Sequence, residues 1–182
     1  MACQTIKAVT FSLCDPSMGG ITKIYLANID DVSAVTVDTA ATFAASAEGI
    51  TAITMKSGKT FQEFTVKKNT SSFTSTLTTN DNGSSYISTV ISYIMPRMDA
   101  AKRAAMQALI MSEAVGIVKD ANGHYWFIGD VANSAPLTNT AGTGETGVAK
   151  GDANQYTVEL TAETTEWPQE VTESAVLAVL PS

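Results

Sequence analysis

From Ile21 onward most of the chain alternates apolar and polar side chains with a period of two, the signature of half-buried strands. "ITKIYL" (residues 21–26) and "SAVTV" (residues 33–37) are rich in β-branched and aromatic residues and predict strands. "ITAITM" (50–55), the turn "KSGK" with Gly58, and "TFQEFTV" (60–66) predict a hairpin. After "KKNTS", the run "SFTSTLTT" sets Phe73, Ser75 and Leu77 on one face and Thr74, Thr76 and Thr78 on the other, a half-apolar face backed by a threonine ladder. "NDNG" (80–83) turns the chain into "SYISTVISYI" (85–94), and a meander is the economical topology.

The pattern changes at Pro96, a residue suited to a first helical turn because its missing N–H is not needed there. "RMDAAKRAAMQALIM" is made of helix formers, with Met98, Ala101, Ala105, Ala108 and Leu109 along one face and Asp99 four residues before Arg103 on the wet side. A single packed helix is expected. Next, residues 114–118 and 124–128 flank "DANG", where Asn122-Gly123 supplies the positive φ angles of a tight hairpin. Residues 130–152, rich in Gly, Asn, Thr and Ser, are expected to form a long flexible loop. "NQYTVELTAE" restores alternation, with Tyr156, Val158 and Leu160 on one face, and "ESAVLAVL" reads as a last strand.

The expected fold class is therefore mainly β, an antiparallel sandwich or barrel with one packed α-helix. Residues 1–182 are expected to form a single domain, with 1–20 as an N-terminal strand or arm.

Within the glycine-rich stretch, Gly142-Thr143-Gly144-Glu145-Thr146-Gly147 matches the letters of the dinucleotide-binding fingerprint. That fingerprint works only where the loop follows a strand and opens a helix. Here another turn and a strand follow, so these glycines are expected to serve a bend rather than a phosphate.

Composition narrows the function classes. A formal charge of −7 argues against a surface that wraps phosphates, which needs clustered Lys and Arg. No apolar run approaches the ~20 residues that span a bilayer, and the start lacks the features of a secretory signal, so an intracellular product with no membrane partner is expected. Cys3 and Cys14 are the only cysteines and are expected to stay reduced.

Candidate chemistry is sparse. His124 is the sole histidine, which excludes a His-rich zinc site and leaves any catalytic triad resting on one residue beside a turn. Asp30, Asp31, Asp120, Glu163, Glu166, Glu170 and Glu173 match no calcium-loop spacing and read as solvated strand ends. No catalytic residue, metal or cofactor is expected. Tyr125, Trp126, Phe127 and Trp167 are expected in the core or at a subunit interface.

The order of features from Phe61 onward carries a resemblance. Two threonine-rich strands, a strand ending at Ile94, one helix, "AVGIVKDANGHYWFIGD", a glycine-rich loop and "GDANQYTVELTAETTEWP" resemble tail-tube-like structural proteins of bacteriophages, in particular virion proteins of phages infecting Bacteroidetes. The likeness covers about two thirds of the chain. It implies a tail tube protein whose homo-oligomeric rings, hexamers in such tubes, stack around a conduit through which DNA passes without specific binding. It also implies contacts with other tail and neck proteins, assembly in the bacterial host cytoplasm, and residence in the virion. A neck, ring or head-completion protein is the alternative within that class, and a monomeric β-rich ligand-binding module the alternative outside it. Asn139, Gly142, Gly144, Glu145 and Gly147 are the expected assembly loop, with residues 38–60 as the other segment able to reach an adjacent ring.

Overall fold

A computed structural model describes residues 17–38, 49–67 and 69–181. Cys3, Cys14 and nearly all of the expected arm at 1–20 lie outside the described residues. Those described form two sheets and two α-helices.

Most of the strands lie where the alternation places them. β1 (Ile21–Asn28), a short 3-10 turn (Ile29–Asp31), β2 (Val32–Asp38), β3 (Gly49–Met55), β4 (Gln62–Phe64), β7 (Ala114–Asp120), β8 (Tyr125–Ile128) and β11 (Gln169–Val171) lie on one side of the molecule. Their seven strands form sheet A, ordered β2-β3-β11-β8-β7-β1-β4. β5 (Ser72–Thr79), β6 (Ser85–Pro96), β9 (Thr138–Glu145) and β10 (Gln155–Thr164) form sheet B, ordered β5-β6-β10-β9. All pairings are antiparallel except β11 with β3, a parallel contact at Val171 and Ile50.

Two apolar layers hold these sheets. Ile24 and Leu26 of β1 point toward sheet B and meet Ile91, Tyr93, Val158 and Leu160. Tyr25 and Ala27, one residue out of phase, point the other way and join Val115, Ile117 and Phe127 under the helix α2 (Glu173–Val179). β1 and β7 are thus covered on both faces, which is why they read as nearly continuous apolar runs. Gly116 sits in the first layer because a Cβ there would come within 2.8 Å of a Leu137 methyl.

Several expectations need correction. "ESAVLAVL" is a helix, so the described residues hold two α-helices; Ala175, Val176 and Val179 recur at helical spacing and bury against sheet A. The turn at Gly58 does not make a hairpin. Beyond it Phe61 plugs the layer under α2, its N–H bonded to Val179 O, and β4 pairs with β1 instead of β3. β3 lies inside sheet A between β2 and β11, which removes residues 49–55 from the segments free to reach a neighbour. Sheet A is no meander.

Pro96 ends β6 and does not begin a helix. α1 (Ala100–Met111) starts after Asp99, whose Oδ1 accepts from Lys102 N at 2.8 Å as an N-cap. The same carboxylate pairs with Lys102 Nζ at 2.7 Å, not with Arg103, and these bonds hold its pKa below the usual value. Of the face expected to be apolar, Leu109 is buried and Ala105 half-buried, while Ala101 and Ala108 are exposed; Met106 is buried in their place. Finally, residues 130–152 are not one loop. They contain β9, which completes sheet B.

Candidate functional site

Sheet B has an inner and an outer face, set by register. Opposite residues on antiparallel strands share a face. Leu160, Ile91 and Phe73 form one inward row, and Val158 with Tyr93 another. The outward rows are Ala141–Glu159–Ser92–Ser72, Thr138–Thr161–Val90–Thr74, Thr143–Thr157–Ile94 and Glu163–Ser88–Thr76, with Glu145 beside Gln155. Hydroxyls dominate this face, and Thr140 and Thr161 bond each other at 2.9 Å. Its three charged residues are Glu145, Glu159 and Glu163. No lysine or arginine occurs on any of the four strands.

The edges of the two sheets differ. β4 is three residues long and carries a Lys23–Glu63 ion pair at 3.1 Å, and β2 is irregular at two points of its pairing with β3. Both are features that discourage edge-to-edge pairing. β5, by contrast, runs eight residues in unbroken register without a charge or a proline. β9 is equally long, with one irregularity opposite Glu159/Leu160 and a single charge at its end. Among the described residues, sheet B is therefore the one with open edges.

The expected assembly residues fall on β9 and the turn after it. Asn139 lies opposite Leu160, facing inward with its Nδ2 buried and unpartnered. Gly142 and Gly144 face α1: a Cβ on Gly142 would meet Met106 Cε at 3.1 Å, and one on Gly144 would meet the Tyr156 ring at 2.8 Å and Met98 Cε at 3.3 Å. Glu145 accepts from Gln155 Nε2 at 2.9 Å. Gly147 takes φ +68° where the chain leaves the strand, a conformation glycine adopts without strain. The glycines that spell the fingerprint thus give the helix a floor to lie on, and the next element is β10, not a helix. Because Tyr156 covers Gly144 across the strands, a glycine-rich segment holds as an edge strand where its composition alone reads as loop.

Beyond Gly147 the hairpin tip is fixed by one carboxylate. Asp152 Oδ2 accepts from Val148 N and Ala149 N at 2.7 Å each, and these backbone bonds hold its pKa below the usual value. Val148 projects fully into solvent.

At the other end of β10 lies a groove of about 720 Å³. Val35 and Val37 of β2, Val131, Asp130, Glu166 and Trp167 line it. Trp167 is 56% exposed, whereas Tyr125 and Phe127 are buried under α2, so the expected aromatic set divides between core and surface. Trp126 is half-buried, donates to Asp120 Oδ2 at 3.2 Å and lies 6.4 Å from Phe73.

Of the candidate acid–base residues, Asp120, His124, Glu170 and Glu173 gather around the β7–β8 turn, while Glu163 lies on the outer face of sheet B and Glu166 in the groove. Asp120 Oδ1 accepts from Asn122 N and His124 N. His124 Nδ1 meets Glu170 Oε1 at 2.6 Å, a hydrogen bond that raises the imidazole pKa. Lys119 Nζ donates to Tyr125 OH at 2.9 Å, which raises the lysine pKa, and Tyr125 OH donates to Glu173 at 3.2 Å. Among the described residues the His124 ring bonds to no hydroxyl or thiol, and no cluster of His, Cys, Asp or Glu is arranged to hold a metal. Asp30 and Asp31 lie apart in the turn after β1, where Asp31 pairs with Lys59 at 3.1 Å. No described helix is long and apolar enough to cross a membrane. No protein family, curated protein or solved structure matches the chain.

Proposed function

We propose that the chain is a structural subunit of a phage virion, a tail tube protein whose sheet B pairs edge to edge with further copies to close a ring around a DNA conduit. The observation that carries this is sheet B itself, with two open edges and an outer face of hydroxyls and three glutamates without a cation. Its four strands alternate in direction. β9 of one copy therefore runs opposite to β5 of the next when copies are related by rotation about an axis along the strands, and the seam is an ordinary antiparallel ladder. A wall of that composition repels DNA phosphates and lets the duplex slide. The role is non-enzymatic and the partners are other copies and the neighbouring tail and neck proteins. A neck or ring protein uses the same seam without stacking.

The test is the assembly state. Leu77 lies on the inward face of β5 yet is 56% exposed, so Leu77→Lys costs the monomer less than ~1.5 kcal/mol while placing a charge at the seam. Electron microscopy across a concentration series, with mass in solution, is expected to show rings for the wild type and folded monomers for the variant. Rings from Leu77→Lys refute the seam.

The groove favours a second reading. An exposed tryptophan beside a cleft of about 720 Å³ suits a monomeric ligand-binding module. A wild type that stays monomeric at every concentration favours that module.

A further inference from the structure

The hairpin tip and the Trp167 groove occupy opposite ends of one strand. β10 begins at Gln155, just after the tip, and ends at Thr164, which lines the groove. Ten residues of strand place the two ~30 Å apart. A tip cannot reach its own groove.

Their surfaces are complementary. The tip presents Val148, wholly exposed, and two residues on Lys150; neither Lys150 nor Arg97 at the same end is paired with a carboxylate among the described residues. Among the described residues the groove presents Val35, Val37, Val131 and Trp167 as an apolar wall, with Asp130 and Glu166 as its charges and no lysine or arginine. Asp130 is committed to Ala132 N, Asn133 N and Asn133 Nδ2, and Glu166 Oε2 accepts from Gln169 Nε2 at 3.1 Å. All of those donors are neutral. The groove therefore keeps both negative charges, and Glu166, beside the exposed Trp167, is the one open to an incoming cation.

We propose that the β9–β10 hairpin tip of one copy seats in the Trp167 groove of another, with Val148 against Trp167 and Lys150 against Glu166. Asp152 holds the tip in shape before it docks, which reduces the ordering cost of the contact. The two surfaces differ, so the contact is head to tail and propagates along the strand axis. One such plug is far smaller than the 1,200–2,000 Å² that stable interfaces bury. Repeated around a ring it acts multivalently. In this respect the inference rests on the ring reading above, with edge pairing closing the ring and the tip joining one ring to the next.

The experiment compares wild type with Lys150→Glu, Glu166→Lys and the double variant, by electron microscopy and sedimentation, together with amide and indole NMR spectra over a concentration series. Single rings from each single variant, and stacked rings restored in the double, support the contact. Stacks of wild-type length from Lys150→Glu overturn it and leave the ring reading intact. A wild type that forms no rings sinks the ring reading alone. The contact is then read from the Trp167 indole and the Val148 amide, which should shift with concentration in the wild type and not in Lys150→Glu. Signals that do not move in the wild type overturn it.

Discussion

Gly142 and Gly144 sit two residues apart on β9 and face the same helix, yet alanine should affect them differently. In a strand, replacing glycine by alanine recovers ~0.5–1 kcal/mol by restricting the unfolded chain. Against this stands the space each new methyl meets. At Gly142 the nearest atom is Met106 Cε at 3.1 Å, the free end of a side chain with three rotatable bonds. A shift of a few tenths of an ångström accommodates it, and Gly142→Ala should fall within about 0.5 kcal/mol of wild type. At Gly144 the methyl meets Tyr156 Cε1 at 2.8 Å and Cδ1 at 3.1 Å, with Met98 Cε at 3.3 Å closing the other side. The tyrosine is a flat ring packed against the inter-sheet layer and can relieve the contact only by moving as a unit. Overpacking of that kind costs ~1–3 kcal/mol, which leaves Gly144→Ala about 1–2 kcal/mol less stable than wild type. For a chain of this size that is roughly 2–8 °C in Tm. Urea and thermal unfolding of both variants measure it, and a Tyr156→Ala background should erase the Gly144→Ala penalty, giving a coupling of about 1 kcal/mol or more. Equal stability of the two alanine variants, or a penalty unchanged without the ring, would refute the packing account and return these glycines to a simple loop.

Two further perturbations separate polar terms. The His124 pKa is raised by Glu170, so the pair stabilises the fold below the unfolded imidazole value near 6.5 and loses that contribution as pH rises through the folded value. The side chain is 53% exposed, which limits the effect to below ~1 kcal/mol. The stability gap between wild type and Glu170→Gln should therefore be wider at pH 5.5 than at pH 8.5, and an equal gap would contradict the pairing. Tyr93 is wholly buried with its hydroxyl unpartnered, and burial pushes its pKa far up. Removing the hydroxyl in Tyr93→Phe should raise stability by ~1 kcal/mol, seen as a higher urea midpoint at unchanged slope; a lower midpoint would mean the oxygen has a partner.

What the sequence made legible depended on whether local chemistry and tertiary context agreed. Asn122-Gly123 takes the turn its dipeptide demands, with Gly123 at φ +96°, and β5, β6, β7, β8 and β10 lie where alternation places them. Disagreement came where packing overrode composition. The apolar run after Glu173 is β-branched enough to read as a strand, but sheet A needed a cover for Tyr25, Ile117 and Phe127, and a helix presents Val176 and Val179 together. Thr138–Glu145 reads as loop because glycine disfavours strands, and only Tyr156, α1 and the β10 ladder make it one. The turn at Gly58 is present, with Lys59 N bonded to Lys56 O, but the partner of the strand that follows is set by Phe61 rather than by the turn. The arrangement of the candidate site was not legible. Nothing in "GTGETG" announces an edge strand, and nothing in "EWP" announces a groove.

The chain's negative balance acquires meaning only through register. A formal charge of −7 spread evenly would say little about partners beyond solubility. The distribution is uneven, however. Among the described residues the cations sit on sheet A, on α1 and in the turns, and three are paired with a carboxylate: Lys23 with Glu63, Lys59 with Asp31, Lys102 with Asp99. Sheet B has none, and because Glu145, Glu159 and Glu163 alternate with inward apolar residues, all three emerge on the same face. A single-residue slip of β10 would bury Glu159 and expose Val158 and Leu160, so the core that fixes the register also fixes the charge of the wall. Edge pairing between copies would set such walls side by side, multiplying a surface that hydrates well and holds no phosphate. Cations were not merely outnumbered here; they were kept off the four strands of sheet B.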